Sequence, residues 1–225
     1  GRVVMRYDYH VAGPADEEEE AAANRIHQAS MDAGERWTLS NVAGNPIRGW
    51  DSRGHTVKTL YDELQRPTHL YVQQGTGPKT LVELTVYGEK HPRSGRLNLR
   101  GRAFLQFDSA GVVMNTGRSP STGEEEGYDF RGNLLRNRRH LAGEYREQMD
   151  WSRLEPLVDV EEIDVQGIMN EGRPLLVAQL PGCSTAYPFA TSTTYDALNR
   201  PVTLTTPDMS VIRPTYNEAN LLEQV

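Results

Sequence analysis

Apolar and polar residues alternate with a period of two over much of the chain. Thr68, Leu70 and Val72 fall on one face of an extended segment, and Thr80 to Tyr87 reads as a strand with an apolar face. Leu97 to Leu99 and Ala103 to Phe107 read the same way. Tyr145, Glu147, Met149 and Trp151 fit a strand, while Leu141, Tyr145 and Met149 fit a helix; the flanking strand-like phrases favour the strand. Two stretches break the pattern. Residues 14–35 begin with Pro14, continue through the acids Glu17 to Glu20 into an Ala-rich centre, and stop at Gly34. They predict a short N-terminal helix within Glu17 to Met31, with its acids at the positive end of the helix dipole. Residues 154–180 read as an insertion, mostly loop with one or two helical turns. Residues 117–127 have the composition of a mobile loop.

A repeated phrase organises the rest. Tyr61, Asp62, Arg66 and Pro67 belong to YDELQRP, and Tyr195, Asp196, Asn199, Arg200 and Pro201 to YDALNRP. Looser versions begin at Trp50–Asp51, Phe107–Asp108, Tyr128–Asp129 (with Gly132 and Asn133) and Tyr216–Asn217. Each has an aromatic residue, then Asp or Asn, then a short turn rich in Gly or Asn, then a strand-like run. Asp or Asn accepts hydrogen bonds from the turn backbone, and Gly or Asn takes the positive φ of a tight turn. The aromatic packs on a sheet face, and Pro67 and Pro201 sit where a strand N–H need not pair. Phe107 and Tyr128 begin phrases 21 residues apart, as do Tyr195 and Tyr216, a spacing that suits successive hairpins. One hairpin is marginal in water, so neighbours must stack. The fold class is therefore mainly β, built from repeated antiparallel hairpins.

Composition narrows the picture. The 225 residues are 37% hydrophobic, with ten Tyr against four Phe, which suits an open sheet or shell with a lean core. The net charge of −7 argues against nucleic acid as a partner. Arg136, Arg138 and Arg139 read as a solvated strand or turn. No apolar run is long enough to span a bilayer as a helix. The single cysteine, Cys183, forms no intrachain disulfide and lacks a nucleophile motif. The six His show no zinc-helix spacing, and neither the acid run at Glu17 nor Asp159 to Asp164 has the order of a calcium loop. No catalytic residue, cofactor or metal site is expected. The first residue is Gly1, which suggests a piece of a longer polypeptide.

YDELQRP, YDFRGNLLR and the stretch from Tyr195 to Val225 resemble YD repeats of the RHS (rearrangement hot spot) superfamily. The stretches from Ala23 to His55 and from Leu81 to Pro92 resemble its branch of bacterial proteins related to the B and C components of insecticidal Tc toxin complexes and to SpvB-type toxins. The resemblance covers most of the chain. It implies that residues 1–225 are a repeat region within a hollow β-shell, wound from a strip of hairpins and enclosing a C-terminal toxin. The implied partners are the remaining repeats of the parent chain, the toxin cargo, other toxin-complex subunits and surface glycans. The implied location is secreted or on the surface of a bacterium. The family's self-cleaving core and effector domain have no counterpart in these residues, so no catalytic role is carried over. The alternative is a carbohydrate- or receptor-binding module using exposed aromatic rows, favoured if Trp50 and Trp151 are exposed side by side.

Overall fold

A computed structural model describes residues 4–9, 25–144, 146–176 and 189–224. The chain is mainly antiparallel β, with thirteen strands hydrogen-bonded in one sheet. It divides into two compact units, residues 1–82 and 83–225.

The first unit is a run of hairpins. Its strands are β1 (Met5–Tyr9), β2 (Arg25–Ser30), β3 (Gly34–Ser40), β4 (Pro46–Asp51), β5 (His55–Tyr61) and β6 (Pro67–Gln74), each pairing antiparallel with the next. The strand β7 (Lys79–Tyr87) begins here and carries on into the second unit. The expected helix over 14–35 is corrected where the structure describes it. Residues 25–30 form β2, and Gly34 opens β3. That stretch pairs with β1 on one side and β3 on the other, and tertiary pairing overrides the helical composition. The rest of the expected helix, before Arg25, lies outside the described residues. Most side chains of this unit are half-buried or exposed; Tyr71, Leu81 and Val82 are buried.

The second unit continues with β8 (Ala103–Asp108), β9 (Gly111–Met114), β10 (Gly117–Arg118), β11 (Glu125–Glu126), β12 (Arg136–Leu141), β13 (Phe189–Tyr195), β14 (Pro201–Thr205), β15 (Val211–Ile212), β16 (Thr215–Tyr216) and β17 (Leu222–Gln224). The strand β12 lies between β9 and β13. The chain leaves the sheet after β12 and returns at β13. The excursion contains a 3₁₀ turn at Ser152–Leu154, helix α1 (Glu155–Val158), helix α2 (Val165–Gly172) and a second 3₁₀ turn at Arg173–Leu175. Asp164 caps α2 by accepting from Gln166 N at 3.0 Å.

This excursion supplies the lid of an apolar core. Met149, Trp151, Leu154, Val158, Ile163 and Ile168 are buried, as are Leu84, Val86, Phe104, Leu105, Phe107, Val112 and Met114 of the sheet. Trp151 lies 5.1 Å from Phe107 between ring centroids, and its indole N–H donates to Asp108 O at 3.2 Å. Lys90 Nζ donates to Val158 O at 2.8 Å, and Ile163 N to Lys90 O at 3.0 Å.

Four local expectations are corrected in this unit. The stretch holding Met149 and Trp151 is not a strand; both side chains are buried from irregular backbone that enters a 3₁₀ turn, and Tyr145 lies outside the described residues. Leu97 and Leu99 sit in consecutive turns rather than a strand, buried because the turns fold them inward. Residues 117–127 contain a small hairpin, β10 with β11. The arginines of β12 are not simply solvated. Arg136 is buried and paired with Glu126 at 3.1 Å, Arg138 donates to Thr116 O at 3.0 Å, and Arg139 makes two hydrogen bonds to the Asp108 carboxylate at 2.6 and 2.7 Å. Cys183 lies outside the described residues.

Candidate functional site

The repeated phrases converge on one five-residue turn. Its first residue is Asp62 in the first unit and Asp196 in the second. Asp62 N donates to Arg66 O and Gln65 N donates to Asp62 O, both at 3.0 Å. Asp62 Oδ1 accepts from Leu64 N and Arg66 N at 2.9 Å each, and Oδ2 accepts from Arg66 Nε at 2.7 Å. Asp196 repeats this with Leu198 N at 2.8 Å, Arg200 N at 3.0 Å and Arg200 Nε at 2.7 Å. The fourth residue has positive φ in both, 61° at Gln65 and 63° at Asn199. The strand register shifts beside both turns, at Leu60/Tyr61 and Thr194/Tyr195, as a bulge does.

The looser phrases build the same turn with other side chains. Asp51 accepts from Arg53 N and His55 N, and Asp129 from Arg131 N, Asn133 N and Asn133 Nδ2. Asn217 accepts from Leu221 N. Their fourth residues are Gly54, Gly132 and Asn220, all with positive φ. At Gly132 a Cβ would run into the Arg102 guanidinium, which lies over the Tyr128 ring, so glycine there serves a close approach as well as the turn. The phrase at Phe107 departs from the others. Asp108 pairs directly with Gly111, so the turn is shorter, and the carboxylate accepts from Ala110 N and holds Arg139.

Two turns of this type escaped the sequence reading. Asn41 accepts from Ala43 N and Asn45 N, with Gly44 fourth at φ 83°. The Asn followed by Gly three residues on was the available signal. In residues 206–210 the roles are redistributed. Thr206 Oγ1 donates to Asp208 Oδ1 at 2.5 Å, Asp208 Oδ1 accepts from Ser210 N, and Met209 holds φ at 68°. A methionine in the left-handed region hid it.

The tyrosine of four phrases reaches back to a carbonyl earlier in the chain. Tyr61 Oη donates to Pro46 O at 2.8 Å, Tyr128 to Ala103 O at 3.3 Å, Tyr195 to Leu134 O at 3.3 Å and Tyr216 to Pro201 O at 3.2 Å. Pro46, Ala103 and Pro201 each open a strand, and Leu134 follows the turn begun by Asp129. Tyr61, Tyr128 and Tyr195 thus share a role, each ring bridging to the preceding hairpin. Trp50 does not take part in such a bridge; it stacks on Trp37.

Successive turns also bond to each other through side chains. In the first unit Asn41 Nδ2 donates to Gln65 Oε1 at 2.7 Å. In the second, Asn133 Nδ2 donates to Asn199 Oδ1 at 3.0 Å, Arg131 donates to Ala197 O, and Arg200 Nη1 donates to Asn220 Oδ1 at 2.8 Å. The Arg200 guanidinium also lies 4.7 Å from the Tyr216 ring centroid. The amide at the positive-φ position therefore has a second use that glycine lacks: it accepts a hydrogen bond from the neighbouring turn.

The electrostatics follow. The Asp196 carboxyl lies below its ordinary value because Arg200 N bonds the ionised form, reinforced by its guanidinium against the opposing effect of burial. Burial pushes Asp62 upward, and the Arg66 main-chain and side-chain donors outweigh it, leaving the carboxyl low. Asp129 behaves likewise through Asn133. These carboxylates are held ionised and already accept several donors each. A general acid needs the opposite shift and a general base needs open lone pairs. Among the described residues no group of three His, Cys, Asp or Glu is placed to hold a metal ion, and no helix is long and apolar enough to cross a membrane.

A strip of antiparallel hairpins closed by hydrogen-bonded Asx turns is the class of structure defined here. No protein-family model and no curated protein matches the sequence. Solved structures do. The crystal structure of TcdB2-TccC3 superposes with a TM-score of 0.66 at 19% identity, over 88% of this chain and 8% of that one. The TcdB2-TccC3-Cdc42 crystal structure gives the same values. So does the Photorhabdus luminescens Tc holotoxin pore carrying a TccC3 variant. This chain thus has the fold of a short segment of Tc toxin chains, in agreement with the RHS resemblance, and spans 8% of their length.

Proposed function

We propose that this chain is a structural segment of a bacterial RHS-type toxin shell, one that encapsulates or presents a toxin domain and is non-catalytic by itself. The observation that carries this reading is the relay of side-chain hydrogen bonds from the turn at Asp129 to the turn at Asp196 and on to the turn at Asn217. The phrase's polar groups are engaged in closing turns and joining them, which is how a strip is built, and the fold shared with Tc toxin chains supports the same role. On this reading its partners are further repeats of a parent chain, a toxin cargo and other subunits of a secreted complex. Limited proteolysis of the parent polypeptide tests it. The cargo region is expected to survive protease while the shell is intact and to be cut once Asp196→Ala and Asp129→Ala loosen the turns. A cargo cut equally fast in both proteins overturns the encapsulating role.

A second reading, a module that holds a ligand on its aromatic face, has one observation in its favour. Trp50 is 40% exposed and borders an open cavity. Trp151 takes no part, because it is fully buried.

A further inference from the structure

A polar cavity of about 340 Å³ lies in the second unit among the β10–β11 hairpin, β12 and the turns that follow Lys90. Among the described residues its lining is made of Arg, Glu and Gly alone. Arg93, Arg118 and Arg138 supply three guanidinium groups, and Glu124 and Glu125 supply two carboxylates. Glycine lets the strands close in here. A Cβ at Gly117 would stand 3.1 Å from Arg136 Cβ and 3.8 Å from Arg138 Cγ, so β10 lies directly against two arginine stems of β12. A cavity with no apolar wall holds a hydrophobic molecule poorly, and the charges around it decide what it can take.

Each of three consecutive acids has its own guanidinium. Glu124 pairs with Arg96 at 3.3 Å, Glu125 with Arg93, and Glu126 with Arg136 at 3.1 Å. With Arg118 and Arg138, five arginines stand against three carboxylates, in a chain whose net charge is −7. Arg118 is exposed and makes no ion pair among the described residues; its Nη1 donates to Gly123 O at 3.2 Å. Arg138 is half-buried and fixed in place, its Nε donating to Thr116 O at 3.0 Å and its Nη2 to Met114 Sδ at 2.8 Å. Two buried polar atoms next to the lining lack a hydrogen-bond partner among the described residues: Thr116 Oγ1, on a fully buried residue, and Arg136 Nε. Buried donors rarely stay unsatisfied. A hydroxyl and a guanidinium N–H beside a cluster of arginines are donors of the kind that an oxyanion accepts from.

We propose that this cavity binds a tetrahedral oxyanion, phosphate or sulfate, either as the free ion or as the head of a monoester. Arg118 and Arg138 hold it through charge-assisted hydrogen bonds, the planar guanidinium fork matching two of its oxygens, and the Thr116 hydroxyl adds a further donor. Arg93 stays on Glu125. Glu124 opposes the anion, and its pairing with Arg96 reduces that opposition. An anion held by β10 and β12 together ties the small hairpin to the sheet, so binding stabilises the fold. The site is independent of the shell role and of the aromatic face.

Calorimetric titration of the whole chain with inorganic phosphate, sulfate and glycerol 2-phosphate, at an ionic strength held constant with chloride, tests it. Saturable one-to-one binding of a tetrahedral anion is expected, with a denaturation midpoint that rises with anion concentration and that chloride does not raise. Glycerol 2-phosphate bound at least as tightly as phosphate assigns the monoester; phosphate or sulfate bound more tightly than glycerol 2-phosphate assigns the free ion. Arg118→Gln, at an exposed position, is expected to weaken binding about tenfold or more and to leave the midpoint of the anion-free chain where it was. Thr116→Val is expected to weaken binding about threefold or more without lowering that midpoint, since the hydroxyl it removes has no partner in the protein. Glu124→Gln removes a lining carboxylate and is expected to tighten binding about threefold, a direction that a merely structural role does not give. Binding that chloride reproduces, an affinity unchanged by Arg118→Gln, or an affinity weakened by Glu124→Gln overturns the proposal.

Discussion

The hairpins of residues 25–74 and the layered part of residues 84–168 use the same turn chemistry and are held together differently. In the first region most side chains are half-buried, and order comes from cross-strand pairs, from turns such as those at Asp51 and Asp62, and from the stacked rings of His27, Trp37 and Trp50. The second region adds a lid. Its sheet face is covered by a segment that brings Trp151, Leu154 and Ile168 to full burial. The difference shows that the repeated turn fixes the path of the chain but does not supply a hydrophobic core. The core comes from an excursion that carries no repeat.

The largest effect should separate the regions. Trp151→Ala removes a fully buried ring and its hydrogen bond to Asp108, and should cost about 3–5 kcal/mol in chemical denaturation. Trp50→Ala, at an exposed ring, should cost about 1 kcal/mol or less. Equal losses would remove the distinction between them.

A tyrosine series probes what the regions share. Tyr195→Ala, at a half-buried ring, should destabilise by about 1–3 kcal/mol, less than the loss of a fully buried ring, and Tyr195→Phe, which removes only the bond to Leu134 O, by about 1 kcal/mol. Tyr61→Phe, which loses the bond to Pro46 O, should match it. A change below about 0.5 kcal/mol for Tyr195→Ala would show the ring to be idle.

Asp62→Ala and Asp196→Ala each leave two turn N–H groups without their side-chain acceptor, and both should lower the denaturation midpoint by a similar amount. A clear inequality would mean that the two copies are not equivalent.

Acid should act in two stages. Burial holds His91 below its ordinary 6.5, and His140 too, where Arg138 adds to it. Below pH 6.5 the unfolded chain therefore binds protons that the folded one resists, and stability starts to fall. The turn carboxylates lie below their ordinary 3.8, so what they contribute is complete above that value and is lost as pH falls through the lower folded values. Both histidines belong to the second region, so His91→Gln with His140→Gln should flatten the first stage and spare the second. Denaturation midpoints against pH read both.

The smallest effect concerns the joint between turns. Asn199→Gly keeps the positive φ but removes the acceptor used by Asn133, and should cost about 0.5–1 kcal/mol. Asn199→Ala also forces a Cβ into the left-handed region and should cost about 1–2 kcal/mol more.

The alternation of residues 68–72 and 80–87, and the phrases at Tyr61, Tyr128, Tyr195 and Tyr216, determine the hairpins and their turns. Hairpin geometry is local: an Asx acceptor, a positive-φ residue and a period of two lie within a few residues of each other and can be read in one line of sequence. The phrase also shows where Asp62 and Asp196 bend the chain. It does not show that Arg66 and Arg200 fold back on those aspartates, or that Gln65 and Asn199 receive bonds from turns far away in sequence. Those depend on which turns become neighbours. The strand at Arg25–Ser30 was hidden for the same reason, since its helix-like composition yields to partners on either side. Burial of Trp151 and of Leu97 and Leu99 follows no period, because irregular backbone can turn a side chain inward wherever the tertiary structure leaves room. The row of His27, Trp37 and Trp50 exists only through strand register, a relation between residues 10 to 23 positions apart that no spacing along the chain records.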